Sequence, residues 1–115
     1  MSQQRKERLG DEIRDIVANC LVGGKLSDPR LEFVTITGVK LSADLQLASI
    51  YFRLIDESKQ KETKKGLISA AGLFRTKLSE ELEIRRVPNL RFFYDNSVEK
   101  GEKVDYLLEK IRKET

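Results

Sequence analysis

Lysine and arginine are the groups this chain offers in quantity: 22 basic residues against 19 acidic ones in 115, with no histidine. They gather in places, with Arg5, Lys6 and Arg8 near the start, then Lys59, Lys61, Lys64 and Lys65, and later Arg75, Lys77, Arg85, Arg86 and Arg91. Guanidinium and ammonium groups that meet phosphates release condensed counterions, so a surface shared by several of these would bind RNA in a strongly salt-dependent way. The interleaved glutamates support a plainer reading, mixed surface charge, and a net charge of +3 does not decide between the two. Phe92, Phe93 and Tyr94 have the chemistry to stack on bases, although core packing is the better reading for Phe92 and Tyr94.

Other chemistries lack their residues. Without histidine the commonest general base and metal ligand are both missing, and a single cysteine, Cys20, excludes a zinc site and an internal disulfide framework. None of the seven glycines is spaced as G-x-x-G, G-x-G-x-x-G or a phosphate-binding loop. Carboxylate pairs such as Glu80-Glu81 and Asp11-Glu12 belong to polar helix faces, where solvated charge explains them. Asp28, Asp44 and Asp95 sit in turns, where aspartate serves the backbone by side-chain hydrogen bonds. The expectation is a binding protein, with no catalytic residue, metal or cofactor and no small-molecule substrate. One cysteine fits a reducing cytoplasm, and no apolar run approaches a membrane span, so a soluble cytoplasmic protein with no membrane partner is expected.

The elements that must position these groups follow from periodicity. Leu9, Ile13, Ile16, Val17, Cys20 and Leu21 mark an amphipathic helix over about residues 2–22, closed by Gly23-Gly24. A loop through Asp28-Pro29-Arg30 follows. Strands are expected over residues 33–40 and 45–55, joined through Ser42-Ala43-Asp44 as an antiparallel hairpin, with Ala48, Ile50, Phe52 and Leu54 facing the core. Asp56-Glu57-Ser58 suits a helix start. That helix runs to about Ile84, Leu90 to Tyr94 reads as a third strand, and a last helix over about residues 97–113 frays at its end. A helical crossover favours parallel pairing of the second and third strands. At 115 residues and 39% hydrophobic, one two-layer domain over residues 1–115 is expected, as a monomer.

One irregularity stands out in the long helix. Leu67, Ala71, Phe74, Leu78 and Leu82 share a face that runs through Ser69-Ala70-Ala71-Gly72, where glycine costs roughly 1 kcal/mol relative to alanine. Close backbone packing or a deliberate kink would offset that cost.

Several separated segments together resemble the bacterial ribosome-binding factor A proteins. They are Asp28-Pro29-Arg30 with Val34-Thr35-Ile36-Thr37, Val39 to Leu45, Ala70-Ala71-Gly72 with Arg75, and Arg85-Arg86-Val87-Pro88-Asn89-Leu90 leading into Phe92-Phe93-Tyr94-Asp95. The resemblance implies an α+β, type II KH-like two-layer sandwich: helix, strand, strand, kinked helix, strand, helix, with a three-stranded mixed sheet and helices on one face. In it an Ala-x-Gly kink, here Ala70 to Gly72, replaces the glycine-bearing RNA loop of KH domains. It also implies a non-catalytic assembly factor that binds the free small (30S) ribosomal subunit and its 16S rRNA. Such a factor assists late maturation and 5′-end processing, and matters for growth in the cold. Ala70, Gly72 and Arg75 are the leading RNA-facing candidates by position, with Arg30, Lys77, Arg85 and Arg86 beside them. A protein-interaction module without RNA contact is the alternative, docking through its exposed sheet face or first helix.

Overall fold

The computed structural model describes residues 2–22 and 25–97, so the expected last helix lies outside the described residues. Helix α1 (Gln3–Leu21) opens with Ser2, whose hydroxyl accepts the Arg5 amide, and buries Leu9, Ile13, Val17 and Cys20 on the expected stripe. Strands β1 (Thr35–Leu41) and β2 (Leu47–Arg53) form the antiparallel hairpin, and β3 (Asn89–Tyr94) pairs with β2 in parallel, in the order β1-β2-β3. Helix α2 (Gln60–Glu81) is the crossover between the parallel strands. Both helices pack against the face of the sheet that carries Ile36, Leu41, Ala48, Ile50, Phe52 and Phe92. The mixed sheet and two-layer α+β architecture are as the sequence predicts.

The core is the meeting of that face with Ile13 and Val17 of α1 and Leu67, Phe74 and Leu78 of α2. Each such side chain removed from water contributes roughly 1.5–3 kcal/mol. Phe92 lies against Phe74 with ring centroids 6.2 Å apart, and half-buried Tyr94 stands edge-on to Phe52. Of the aromatic run only Phe93 faces outward, beside Tyr51.

Three expectations are corrected. The first strand begins at Thr35, because Phe33 has a left-handed φ of 58° that no strand contains. The second strand ends at Arg53, leaving Ile55 almost wholly exposed, and Leu45 before it takes a φ of 61° in the turn. Helix α2 is uninterrupted through Ala70-Ala71-Gly72, so the expected break is absent from its hydrogen-bonded ladder. Nor does close packing occupy the place: a Cβ on Gly72 would meet nothing within 4 Å. The Thr76 hydroxyl donates to the Gly72 carbonyl at 3.0 Å, a back-bond that bends helices without ending them.

Close approach occurs at two other glycines. A Cβ on Gly10 would stand 2.9 Å from the Val39 carbonyl oxygen, so this glycine lets α1 settle onto β1. One on Gly66 would stand 3.0 Å from Leu31 Cδ2 and 3.2 Å from Arg30 Cβ, so this one seats the Asp28-Pro29-Arg30 loop on α2.

Candidate functional site

Asp28 caps a single 3-10 turn, Pro29–Leu31, by accepting the Arg30 amide at 3.0 Å. The same carboxylate holds the Arg30 guanidinium through contacts of 2.7 to 3.1 Å. These bonds, the side-chain one first, hold the Asp28 acid below its usual value and raise Arg30. The Thr63 hydroxyl donates to the Arg30 carbonyl, closing the loop onto α2. Arg30 thus spends its fork on its own loop.

The other candidates divide by helix geometry. At about 100° per residue, Arg75 and Lys77 point roughly 160° apart around α2. Ala70 falls beside Lys77 on the Gly66 side of the buried stripe, Arg75 lies past its other edge, and Gly72 lies about 60° beyond Arg75 on the outward face. Lys77 pairs with Glu80 at 3.5 Å and lies near Cys20 of α1, whose thiol burial pushes up in pKa. The seven candidates therefore do not form one surface.

Three of them do converge. Arg75, Arg85 and Arg86 line a cleft of about 730 Å³ with Leu45, Val87 and Pro88, between the end of α2, the approach to β3 and the β1–β2 turn. Buried Pro88 fixes that approach, and the Asn89 amide donates to the Gln46 carbonyl. Arg75 is oriented by a bond from Nη2 to the Val87 carbonyl oxygen at 3.4 Å. Asp44 and Glu83 also line the cleft, yet among the described residues no carboxylate lies within ion-pair distance of any of the three guanidiniums. Asp44 is occupied by Ser42 and the Gln46 amide, which lower its pKa.

The basic surface extends beyond the cleft. Lys61, Lys64, Lys65, Gly72 and Arg75 fall within about 100° of one another around α2. All five are exposed, and exposed Ile68 sits among them. No acidic residue of α2 interrupts this side, since Glu62 and Glu80 fall about 60° beyond its edge and Glu81 farther round. Lys64 also reaches over Phe93, its Nζ 5.6 Å from the ring centroid. Gly72, open to solvent, is a gap in side-chain cover between the lysines and the arginines, just under one turn before Arg75. A phosphate backbone can approach the helix there without steric conflict. The sequence contained this spacing, but a break placed at Ala70-Ala71-Gly72 cuts the stripe in two and hides its continuity.

Among the described residues, no group of three or more histidine, cysteine, aspartate or glutamate side chains is placed to hold a metal, and no helix is long and apolar enough to cross a membrane.

The sequence profile described as Ribosome-binding factor A matches residues 5–108. A protein named Ribosome-binding factor A from Geobacter metallireducens is 44% identical over 113 residues, covering 96% of this chain and 94% of that one. The crystal structure of ribosome-binding factor A from Thermus thermophilus superposes with a TM-score of 0.69 at 27% identity, covering 77% of this chain and 94% of that one. A homology model of the Thermus thermophilus ribosome binding factor A, fitted into a cryo-EM map of a 30S–RbfA complex, superposes with a TM-score of 0.65 at 26% identity, covering 80% and 97%.

Proposed function

This chain belongs to the ribosome-binding factor A family, and from that premise we propose that it binds the free small ribosomal subunit by gripping 16S rRNA phosphates with the α2 stripe and the arginine cleft. Arg75, Arg85 and Arg86 are the principal contacts, Lys61, Lys64 and Lys65 extend the track, and Gly72 lets the RNA backbone come close between them. Arg30 acts by shaping its loop, and Lys77 and Ala70 stand outside the track. The protein works as a cytoplasmic monomer without catalysis, assisting late maturation and 5′-end processing of the rRNA and supporting growth in the cold.

The observation that carries this reading is the convergence of three arginines that have no carboxylate partner among the described residues, at the end of a one-sided lysine stripe. Such groups keep their full charge for a phosphate, whereas exposed cations already paired gain little. Co-sedimentation with purified small subunits tests it. Arg75→Gln, Arg85→Gln and Arg86→Gln together should weaken binding at moderate salt and make the slope of log affinity against log salt shallower by roughly 0.7 to 0.9 for each phosphate left without its cation. Lys77→Gln should leave both unchanged. Equal binding by the triple variant would transfer the interaction to a protein-docking mode that does not touch RNA.

A further inference from the structure

At the opposite end of the sheet the loop, the end of β2 and the start of α2 enclose a second cleft, of about 500 Å³. It lies one full strand away from the arginine cleft: Gln46 precedes β2 and Ile55 follows it, and the 7 residues of β2 alone span about 23 Å. Its apolar lining is Pro29, Phe33, Leu54 and Ile55. Phe33 is 77% exposed and Ile55 91%, among the most exposed large apolar side chains described. Phe33 also has a φ of 58°, a conformation that aromatic residues rarely adopt. The surrounding structure enforces it, since the Asp28–Arg30 bonds, the Thr63 bond and Leu31 packed against Gly66 fix the loop just before it. A strained backbone held rigid so that an aromatic ring stands in water is an arrangement found at recognition sites.

The rim gives the sign of the occupant. Glu32, Asp56 and Glu62 surround the cleft. Against them stand Lys59 and Arg30, and Arg30 is already neutralised by Asp28. A protein that is basic overall thus presents a locally acidic apolar cleft, which repels phosphates and suits lysine and arginine. We propose that this cleft docks an extended basic segment of another protein, which sets an aromatic or aliphatic anchor against Phe33 and Ile55 while its flanking cations meet Glu32, Asp56 and Glu62. The site stands apart from the arginine cleft, at the far end of β2, while the lysine end of the RNA track adjoins it, Lys61 and Lys64 flanking Glu62 and Thr63 of its lining.

Amide chemical-shift mapping on the full chain tests this with defined probes. These are a short peptide of lysine and arginine flanking a Leu-Phe-Leu centre, the same centre flanked by glutamate, the basic flanks around a Gly-Ser centre, and a short single-stranded RNA. The first peptide should bind roughly tenfold tighter than either control peptide, shifting residues 30–33 and 54–63. Phe33→Gly should weaken it by roughly tenfold while raising the urea midpoint, because glycine tolerates positive φ. Misfolding therefore cannot explain the loss. Glu32→Lys with Glu62→Lys should reverse the preference between basic and acidic flanks. Equal affinity for both flanks, RNA shifts centred on this cleft, or unchanged affinity in Phe33→Gly would each overturn the proposal.

Discussion

Alanine at Gly10 would set a methyl group 2.9 Å from the Val39 carbonyl oxygen, whereas alanine at Gly72 would project into open solvent. Opposite signs follow. Gly10→Ala should cost about 1–3 kcal/mol, because strand backbone must shift, and Gly72→Ala should gain about 0.5–1 kcal/mol from helix propensity. Urea unfolding of the two variants beside the parent decides it, and a loss at Gly72 would restore the close-packing explanation. The sequence made Gly72 conspicuous because a glycine inside a helical stripe is an energetic anomaly. It could not say what stands opposite a missing Cβ, since that depends on the neighbouring element. Phe33 was concealed for a related reason: beside Val34, Thr35 and Ile36 it reads as strand chemistry, and only the loop locked ahead of it forces the positive φ.

Aspartate punctuates the boundaries between elements. Asp28 caps the 3-10 turn Pro29–Leu31 and Asp56 the 3-10 turn Glu57–Lys59, Asp44 ties the β1–β2 turn, and Asp95 accepts from Thr37 Oγ1 at 2.6 Å and from the Ser97 amide. Side-chain hydrogen bonds are the leading cause that lowers the pKa of each from the usual 3.8: from Arg30 at Asp28, Ser42 at Asp44, Ser58 at Asp56 and Ser97 at Asp95. A folded-state pKa below the unfolded one means the unfolded chain binds protons first on acidification. The contribution to stability is therefore complete above the unfolded value and drains away as pH falls through the folded one. Urea midpoints should hold from pH 7 to about 5 and drop below about 4, and Asp28→Asn with Asp95→Asn should flatten that drop. An unchanged acid limb in the double variant would refute the capping argument. Element types and strand pairing were legible because period-2 and period-3.6 patterns are written in apolar residues. Boundaries were less so: Asp56 signals a helix start, yet a 3-10 turn intervenes and α2 begins at Gln60.

For the molecule as a whole, the placement of two unlike clefts at the two ends of β2 predicts separable interactions. Neutralising Arg75, Arg85 and Arg86 should leave peptide binding at the Phe33 cleft intact, and Phe33→Gly should leave the salt slope of subunit binding intact. Isothermal titration with the peptide and subunit co-sedimentation, run on both variants, check this independence; cross-effects in either direction would mean one composite surface. Residues more than about 10 Å apart with no shared partner usually behave additively. The charge asymmetry behind this division was invisible in the sequence, where Arg30 and Arg75 look alike. Folding separates them by giving one a carboxylate and the other a carbonyl.

The lysine stripe has a consequence for solubility as well. Among the described residues β3 has a neighbouring strand on one side only, and an open strand edge is a template on which a second copy can add itself. Lys64 leaning over Phe93 and exposed Arg91 place like charges along that margin. Two copies approaching edge to edge would bring these cations together. One of the groups assigned to hold RNA, Lys64, thus also sets charge on the open edge of β3, where it opposes the addition of a second copy.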